Sequence, residues 1–175
     1  MTRADLEHVI RAAADIASDD DIVIIGSQAI LGQFPDAPPS LRVSVEADVY
    51  PRNHPERADL IDGTLGEGSP FHEAYGYYAQ GVGETTAVLP AGWQERLIVV
   101  RNANTRGATG WCLEINDLTI AKAVAGREKD RQFVADVLAN GLADPATLEM
   151  RLAATAIDDG TRARVRALIA APRSH

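Results

Sequence analysis

The run IVII at residues 22–25 is short and β-branched; three acids precede it and Gly26 and Ser27 follow at once. Strands buried on both faces read as continuous apolar runs of this kind. After the Gly-Ser the apolar spacing changes. In SQAILGQF, Ala29, Ile30 and Phe34 predict a short helix with those three side chains facing inward. A strand that turns through small residues into a helix brings backbone N–H groups close to whatever sits at the corner. Glycine, lacking a side chain, permits the approach, and a helix N-terminus favours an anion. A phosphate fits there, and Ser27 adds a hydroxyl donor.

The next strand signal is LRVSVEADVYP, residues 41–51, which alternates strictly. Leu41, Val43, Val45, Ala47 and Val49 point one way; Arg42, Ser44, Glu46, Asp48 and Tyr50 point the other. Glu46 and Asp48 therefore share one face of one strand. Mg²⁺ prefers oxygen ligands and commonly takes one or two carboxylates plus phosphate oxygens. Gly26 and Ser27 on one strand end, with Mg²⁺ on Glu46 and Asp48, make a place to orient a nucleoside triphosphate for in-line attack. Each feature also has a plainer reading: Gly-Ser is an ordinary turn, and alternating acids are an ordinary solvated face.

The flanking sequence sets the architecture. Thr2 caps a first helix, with Asp5 as a capping-box partner and Leu6, Val9, Ile10, Ala13 and Ile16 as its buried face. SDDD at 18–21 ends it. PDAPPS is a loop. HPERADLIDGTLG predicts a helix starting near Pro55, FHEAYGYYAQGV a mixed segment, and TTAVLP, ERLIVVRNA and GATGWCLEI three strands, the last two joined by a Gly-rich turn. NDLTIAKAVAGREKDRQFVADVLANGL reads as a long helix capped by Asn116 or Asp117. Leu118, Ala121, Val124 and Ala125 form its apolar face, Gly126 breaks or kinks it, and Gly141 ends it. DPATLEMRLAATA and the basic DDGTRARVRALIAAP predict two more helices. Strands gather early and helices late, which is an α+β sheet domain followed by a C-terminal helical subdomain. The division falls at residues 1–115 and 116–175, packed as one unit.

Composition narrows the partners. With 25 acids against 17 bases the formal charge is −8, which argues against a general nucleic-acid coat protein, although Arg151 with Arg162, Arg164 and Arg166 predicts a local basic patch. The single cysteine, Cys112, excludes an internal disulfide and fits a reducing compartment; within GWCLEI it reads as strand core. His54 and His72 are too far apart for a helical metal pair. No stretch approaches the roughly 20 apolar residues of a membrane span, and the N-terminus lacks the pattern of a signal peptide. A cytoplasmic location is expected, with no membrane partner.

GSQAIL followed by SVEADVY resembles the nucleotidyltransferases of the DNA polymerase β superfamily, whose signature is an apolar strand, Gly-Gly or Gly-Ser, a short helix and a strand with an acid-x-acid pair. Similarity is nearest to the toxin-like branch, which includes abortive-infection nucleotidyltransferase toxins and a related uncharacterised group. That branch often carries Ser or Thr two residues before the first acid, as Ser44 stands before Glu46. DLTIAKAVAGREKDRQFV resembles its Lys-x-x-x-x-Arg-x-x-Asp helix through Lys122, Arg127 and Asp130, and LPAGWQERL resembles a segment of the uncharacterised group. The likeness spans residues 22 to about 140.

The resemblance implies a nucleotidyltransferase-like mixed sheet flanked by helices. It implies transfer of an NMP from an NTP to a hydroxyl on tRNA, protein or a small molecule, and a possible place in a toxin–antitoxin pair with a cognate antitoxin. On this likeness Glu46 and Asp48 would hold Mg²⁺, Gly26, Ser27, Lys122 and Arg127 would bind nucleotide, and Asp130 would orient the Lys or Arg, or the base. Read as a helix, the segment puts Lys122 and Lys129 on nearly one face and pairs Arg127 with Asp130 at i, i+3. The family's first acid is more often Asp than Glu, and many members carry a third acid on a later strand. Glu114 is the candidate, sharing a strand face with Cys112, while Asp117 is read as a helix cap. Tyr77 and Trp93 are candidates to stack on a base, although such aromatics are more often core or rim. The alternative is a catalytically degraded nucleotide-binding or partner-binding module of the same fold.

Overall fold

In the computed structural model, which describes residues 1–170, the Thr2 hydroxyl accepts from the Asp5 N–H at 3.2 Å. The Asp5 carboxylate accepts from the Thr2 N–H at 2.7 Å in return. This capping box starts α1 (Arg3–Ala17), which ends at Ser18 in the left-handed region, φ 50°. Leu6, Val9, Ile10 and Ala13 are buried as expected, joined by Ala14 and Ala17, whereas Ile16 is only half-buried.

Five strands form one mixed sheet in the order β3-β2-β1-β5-β4. They are β1 (Asp21–Ile24), β2 (Glu46–Pro51), β3 (Tyr78–Gly81), β4 (Ile98–Val100) and β5 (Thr109–Cys112). β1 runs antiparallel to β2 and parallel to β5, β2 parallel to β3, and β4 antiparallel to β5. β1 lies at the centre, and Ile22, Val23 and Ile24 are all buried, which is why its sequence is apolar without alternation. α1 and α3 (Ala58–Leu65) pack on each other and on the strands, and α2 (Ile30–Gln33) packs on β4 and β5. α4 (Pro70–Tyr75) is capped by Ser69 and lies against α3 and β3. The expected α+β fold, a mixed sheet flanked by helices with further helices at the C-terminal end, is the one observed.

The chain divides into two units. One comprises Met1–Thr86 and Leu97–Leu113; the other comprises Ala87–Arg96 and the chain from Glu114 onward. The second is helical. α5 (Ile115–Ala125) packs against α6 (Glu128–Ala139), α7 (Pro145–Ala153) and α8 (Asp159–Ile169). Asp144 and Asp158 cap α7 and α8, and Pro145 sits at the first position of α7. The last residues of the basic helix expected at the C-terminus, Ala171 and Pro172, lie outside the described residues.

Several expectations are corrected. The strand read from residue 41 begins only at Glu46, because β2 finds partners on β1 and β3 only from there on. Pro39–Leu41 is a 3₁₀ turn, and Val43 and Val45, placed on the buried face, are 78% and 43% exposed. TTAVLP is turn and irregular backbone rather than a strand; it ends in Pro90, which has no N–H for a ladder. The long helix is two helices. Gly126, φ 67°, caps α5 in the left-handed conformation, and its N–H bonds back to the Lys122 carbonyl at 3.0 Å. α5 is buried almost all round, so the expected apolar stripe does not describe it: Val124 is half-buried and Ala125 exposed. Its N-cap is Glu114, which accepts from the Asp117 N–H; Asn116 and Asp117 lie inside the first turn.

Asp117 is fully buried. It accepts from Arg96 Nε at 2.8 Å and Nη2 at 2.9 Å, and from Arg151 Nη1 at 2.9 Å. The pairing ties residues 87–96 to the helices around α5. Asp117→Asn, which takes the hydrogen-bonded counter-charge from two part-buried guanidinium groups and leaves Arg151 only the Glu114 carboxylate at 3.8 Å, is expected to destabilise the protein by about 3 kcal/mol in urea unfolding. In the sheet unit, Asp19 accepts from the N–H groups of Asp21, Asn53 and His54 and from Asn53 Nδ2. Burial alone would raise its pKa, but these donors outweigh it and hold the carboxyl below its ordinary value. The stabilisation is therefore complete above the unfolded value and is lost as pH falls through the lower folded one. Asp19→Asn is expected to lower stability by about 2 kcal/mol at pH 7, with the deficit shrinking below roughly pH 4 in unfolding curves measured across pH.

Candidate active site

The Ile25 N–H donates to the Asp48 carbonyl at 3.0 Å, which extends the β1–β2 pairing one step beyond the ladder and sets Gly26 beside Asp48. Gly26 itself is extended, φ −82° and ψ −176°, a conformation open to any residue. Space is what demands glycine. A Cβ on Gly26 would lie 2.3 Å from Asp48 Oδ2 and 2.9 Å from its Cγ. The small-residue turn and the second acid are thus in direct contact.

Ser27 opens a 3₁₀ turn of three residues, Ser27–Ala29, that runs into the four residues of α2. A helical stretch this short carries little dipole, so a helix terminus offers an anion little at this corner. Ala29, Ile30 and Leu31 are buried, while Phe34 is only half-buried. Gln28 is fully buried, its Nε2 donates to Ser27 Oγ at 3.2 Å and lies 3.5 Å from the Leu41 carbonyl, and its Oε1 has no partner among the described residues. Since Ser27 Oγ accepts from Gln28, its own hydrogen is left to be donated elsewhere. In the sequence Gln28 stands out only as the one amide in the otherwise apolar QAIL.

Glu46 and Asp48 are the first and third residues of β2, half-buried on one face, while Ala47 and Val49 between and beyond them are buried. Ser44 Oγ accepts from the Glu46 N–H at 3.1 Å and donates to the Glu46 carbonyl at 3.2 Å, bracing the strand where it begins. Tyr78, opposite Glu46 in the β2–β3 register, donates its hydroxyl to Glu46 Oε2 at 3.2 Å. Burial, and then the negative charge of Glu46, push the Tyr78 hydroxyl pKa up to about 12, so it remains a donor at neutral pH. Two same-face, half-buried carboxylates beside a half-buried hydroxyl fit Mg²⁺ that shares phosphate oxygens. Among the described residues no group of three or more His, Cys, Asp or Glu side chains is placed to hold a metal without them.

The other expected site residues lie in the helical unit. Lys122 is in the last turn of α5, Arg127 is the N-cap of α6, and Asp130 is that helix's third residue. They meet around the Gly126 corner. Asp130, nearly fully buried, lies 3.5 Å from Lys122 Nζ and accepts from Arg127 Nε at 2.7 Å and the Arg127 N–H at 3.2 Å. Burial opposes ionisation of Asp130, but the Arg127 hydrogen bonds and the Lys122 charge prevail and lower its pKa. The expected Arg127–Asp130 pair is present. Lys122 and Lys129 do not share a helix face, because Gly126 separates them onto two helices.

Glu114 is a helix cap rather than a strand residue, since β5 ends at Cys112; the face it was expected to share with Cys112 does not exist. Its carboxylate accepts from Asn116 Nδ2 at 2.6 Å and lies 3.8 Å from Arg151. Arg162 donates to the Leu152 and Thr155 carbonyls, Arg164 to those of Ala123 and Val124, and Arg166 to Glu149. With Arg151 on Asp117, every arginine of the expected basic patch is engaged inside the unit. Tyr77 packs with His8, Phe71 and Tyr75 and meets His8 Nδ1 at 2.7 Å, and Trp93 is half-buried in a 3₁₀ turn. Cys112 is strand core as expected, fully buried, and burial pushes its thiol up to about 12.

The family model of the nucleotidyltransferases of unknown function (DUF6036) matches residues 4–170. The chain belongs to this family. No curated protein and no solved structure matches it. The match takes in the Gly26–Ser27 corner, the acid pair and the Lys122–Asp130 segment. No helix among the described residues is long and apolar enough to cross a membrane.

The Gly26 contact yields a direct test. Gly26→Ala forces the Asp48 carboxylate aside and is expected to lower stability by about 1–3 kcal/mol, read by urea unfolding. Ser27→Ala, which forces no carboxylate aside and removes a half-buried hydroxyl with the one hydrogen bond it accepts from Gln28, is expected to lower it by about 1 kcal/mol.

Proposed function

We propose that the protein is a Mg²⁺-dependent nucleotidyltransferase that moves an NMP from an NTP to an acceptor hydroxyl. One observation carries the reading: the Asp48 carboxylate is packed over Gly26, beside Ser27 and on the same strand face as Glu46. Backbone, hydroxyl and two carboxylates meet at one strand end. In this reading Ser27 donates to a terminal phosphate, with Gln28 holding the hydroxyl so that its hydrogen points outward. Glu46 and Asp48 would hold Mg²⁺, which supplies charge neutralisation to the triphosphate when bound. The acceptor oxygen bonds to the α-phosphorus, the bond from that phosphorus to the bridging oxygen of the β-phosphate breaks, and pyrophosphate leaves; the acceptor's proton passes to water.

Lys122 and Arg127 are proposed as further phosphate binders, with Asp130 orienting them, on the strength of the Lys-x-x-x-x-Arg-x-x-Asp likeness. The acceptor is a tRNA end, a protein side chain or a small molecule. Membership of the toxin-like branch, with a cognate antitoxin, rests on the same likeness, and a cytoplasmic location on the lone cysteine. A second reading, a degraded nucleotide-binding or partner-binding module, is favoured by one observation: Glu114 is engaged as a helix cap with Asn116 and Arg151 instead of standing on a strand as a third acid.

Calorimetric titration with each NTP separates the two. Wild type is expected to bind at least one NTP only when Mg²⁺ is present, Asp48→Ala to weaken that binding by at least about tenfold, and Lys122→Ala by a smaller factor. Failure of wild type to bind any NTP with Mg²⁺ would transfer the assignment to the module.

A further inference from the structure

Glu46 stands where the family resemblance more often has Asp, and the extra methylene gives its carboxylate one more rotatable bond. A metal ligand that samples several rotamers loses that freedom on binding, which weakens the site. Tyr78 is placed to remove it beforehand. It sits opposite Glu46 in the parallel β2–β3 register, its ring is buried, and its hydroxyl donates to Oε2 alone, so that Oε1 is outside this bond. The ring is itself held. His72 packs on it at 4.7 Å between centroids, and His72 is fixed by two contacts: its N–H donates to Ser69 Oγ, and its Nδ1 accepts from the Gly68 N–H at 3.0 Å. A buttress thus runs from the cap of α4 through His72 and Tyr78 to Glu46.

We infer that Tyr78 is a positioning residue that locks the longer Glu46 side chain into one metal-binding rotamer, with His72 as its brace. This rests on the proposed Mg²⁺–nucleotide site and names the outer support of that site. A shorter carboxylate at residue 46 draws back from the Tyr78 hydroxyl by about one C–C bond, roughly 1.5 Å, beyond hydrogen-bond reach from 3.2 Å. The benefit of Tyr78 therefore depends on the glutamate.

The test is a double-mutant cycle on the full chain, with Mn²⁺ as the probe and non-hydrolysable α,β-methylene analogues of the four NTPs present. Bound Mn²⁺ is read by electron paramagnetic resonance. Tyr78→Phe is expected to weaken Mn²⁺ binding about tenfold, the scale of one hydrogen bond to a charged group, with unchanged circular dichroism. In the Glu46→Asp background the same change is expected to have less than a twofold effect. Equal weakening in both backgrounds, or none in wild type, overturns the inference and leaves the nucleotide site standing. Absence of Mn²⁺ binding by wild type with every analogue overturns the site reading itself, and this inference with it. If Tyr78→Phe does not fold, His72→Ala carries the same cycle: a smaller loss that vanishes with Glu46→Asp supports the buttress, and a loss independent of residue 46 sinks it.

Discussion

The antiparallel pairing of β1 with β2 is the contact on which the candidate site depends. It brings a backbone corner and a carboxylate from residues 22 positions apart in the chain to within touching distance, and it does so through main-chain hydrogen bonds that no side chain can shift. The bond from Ile25 to the Asp48 carbonyl carries the pairing past the strand's end, and Gly26 is the only residue type that leaves room for the carboxylate above it. A buried central strand makes this corner rigid. Ile22 and Ile24 are fully enclosed, so the corner is held by the core rather than by a mobile loop.

In the helical unit arginines close helix ends that the apolar packing of α6, α7 and α8 leaves open. Helix C-termini leave carbonyls without intrahelical partners, and cations satisfy both the hydrogen bonds and the dipole there. Arg164 closes the end of α5, Arg162 the end of α7, and Arg151 joins Arg96 on the buried Asp117. In the sheet unit Arg57 does the same for α1 through the Ala17 carbonyl. A basic run on a terminal helix therefore has a structural use in this chain, and its presence says little about nucleic acid.

Local signals were legible where one stretch of chain decides the outcome. The capping box at Thr2 and Asp5, the buried run at 22–24, the Asp144 cap with Pro145, and the same-face placement of Glu46 and Asp48 all follow from adjacent residues. Errors arose where a partner decides. Alternation at 41–45 has strand character, but β3 reaches it only at the Val45 carbonyl, where the Tyr78 N–H donates, so Val43 and Val45 stay exposed. Glu114 alternates correctly with Cys112, yet the Asp117 N–H captures its carboxylate and ends the strand early. Gly126 signals a break or kink in the sequence, but only the two separate helices on either side of it part Lys122 from Lys129. Gln28 and Tyr78 give no sign of a site role in the sequence, because an amide in an apolar turn and a tyrosine beside other tyrosines carry no spacing signal. Their roles come from a cross-chain register and from burial.

The charge balance constrains the proposed reaction further. The chain carries a formal charge of −8, and the sheet unit offers two carboxylates where the resemblance places a polyanionic triphosphate. The seven residues of helical backbone after Gly26 are too few to offset that repulsion through a dipole. At about 4 Å two like charges cost about 1 kcal/mol in water and several times more where solvent is partly excluded. Glu46 and Asp48 therefore oppose nucleotide binding unless a divalent cation stands between them and the phosphates. On the proposed reading the acid pair is a gate as well as a ligand set: it rejects free nucleotide and admits the metal complex. On the same reading Tyr78 would add to the pair by holding Glu46 in one rotamer before the cation arrives.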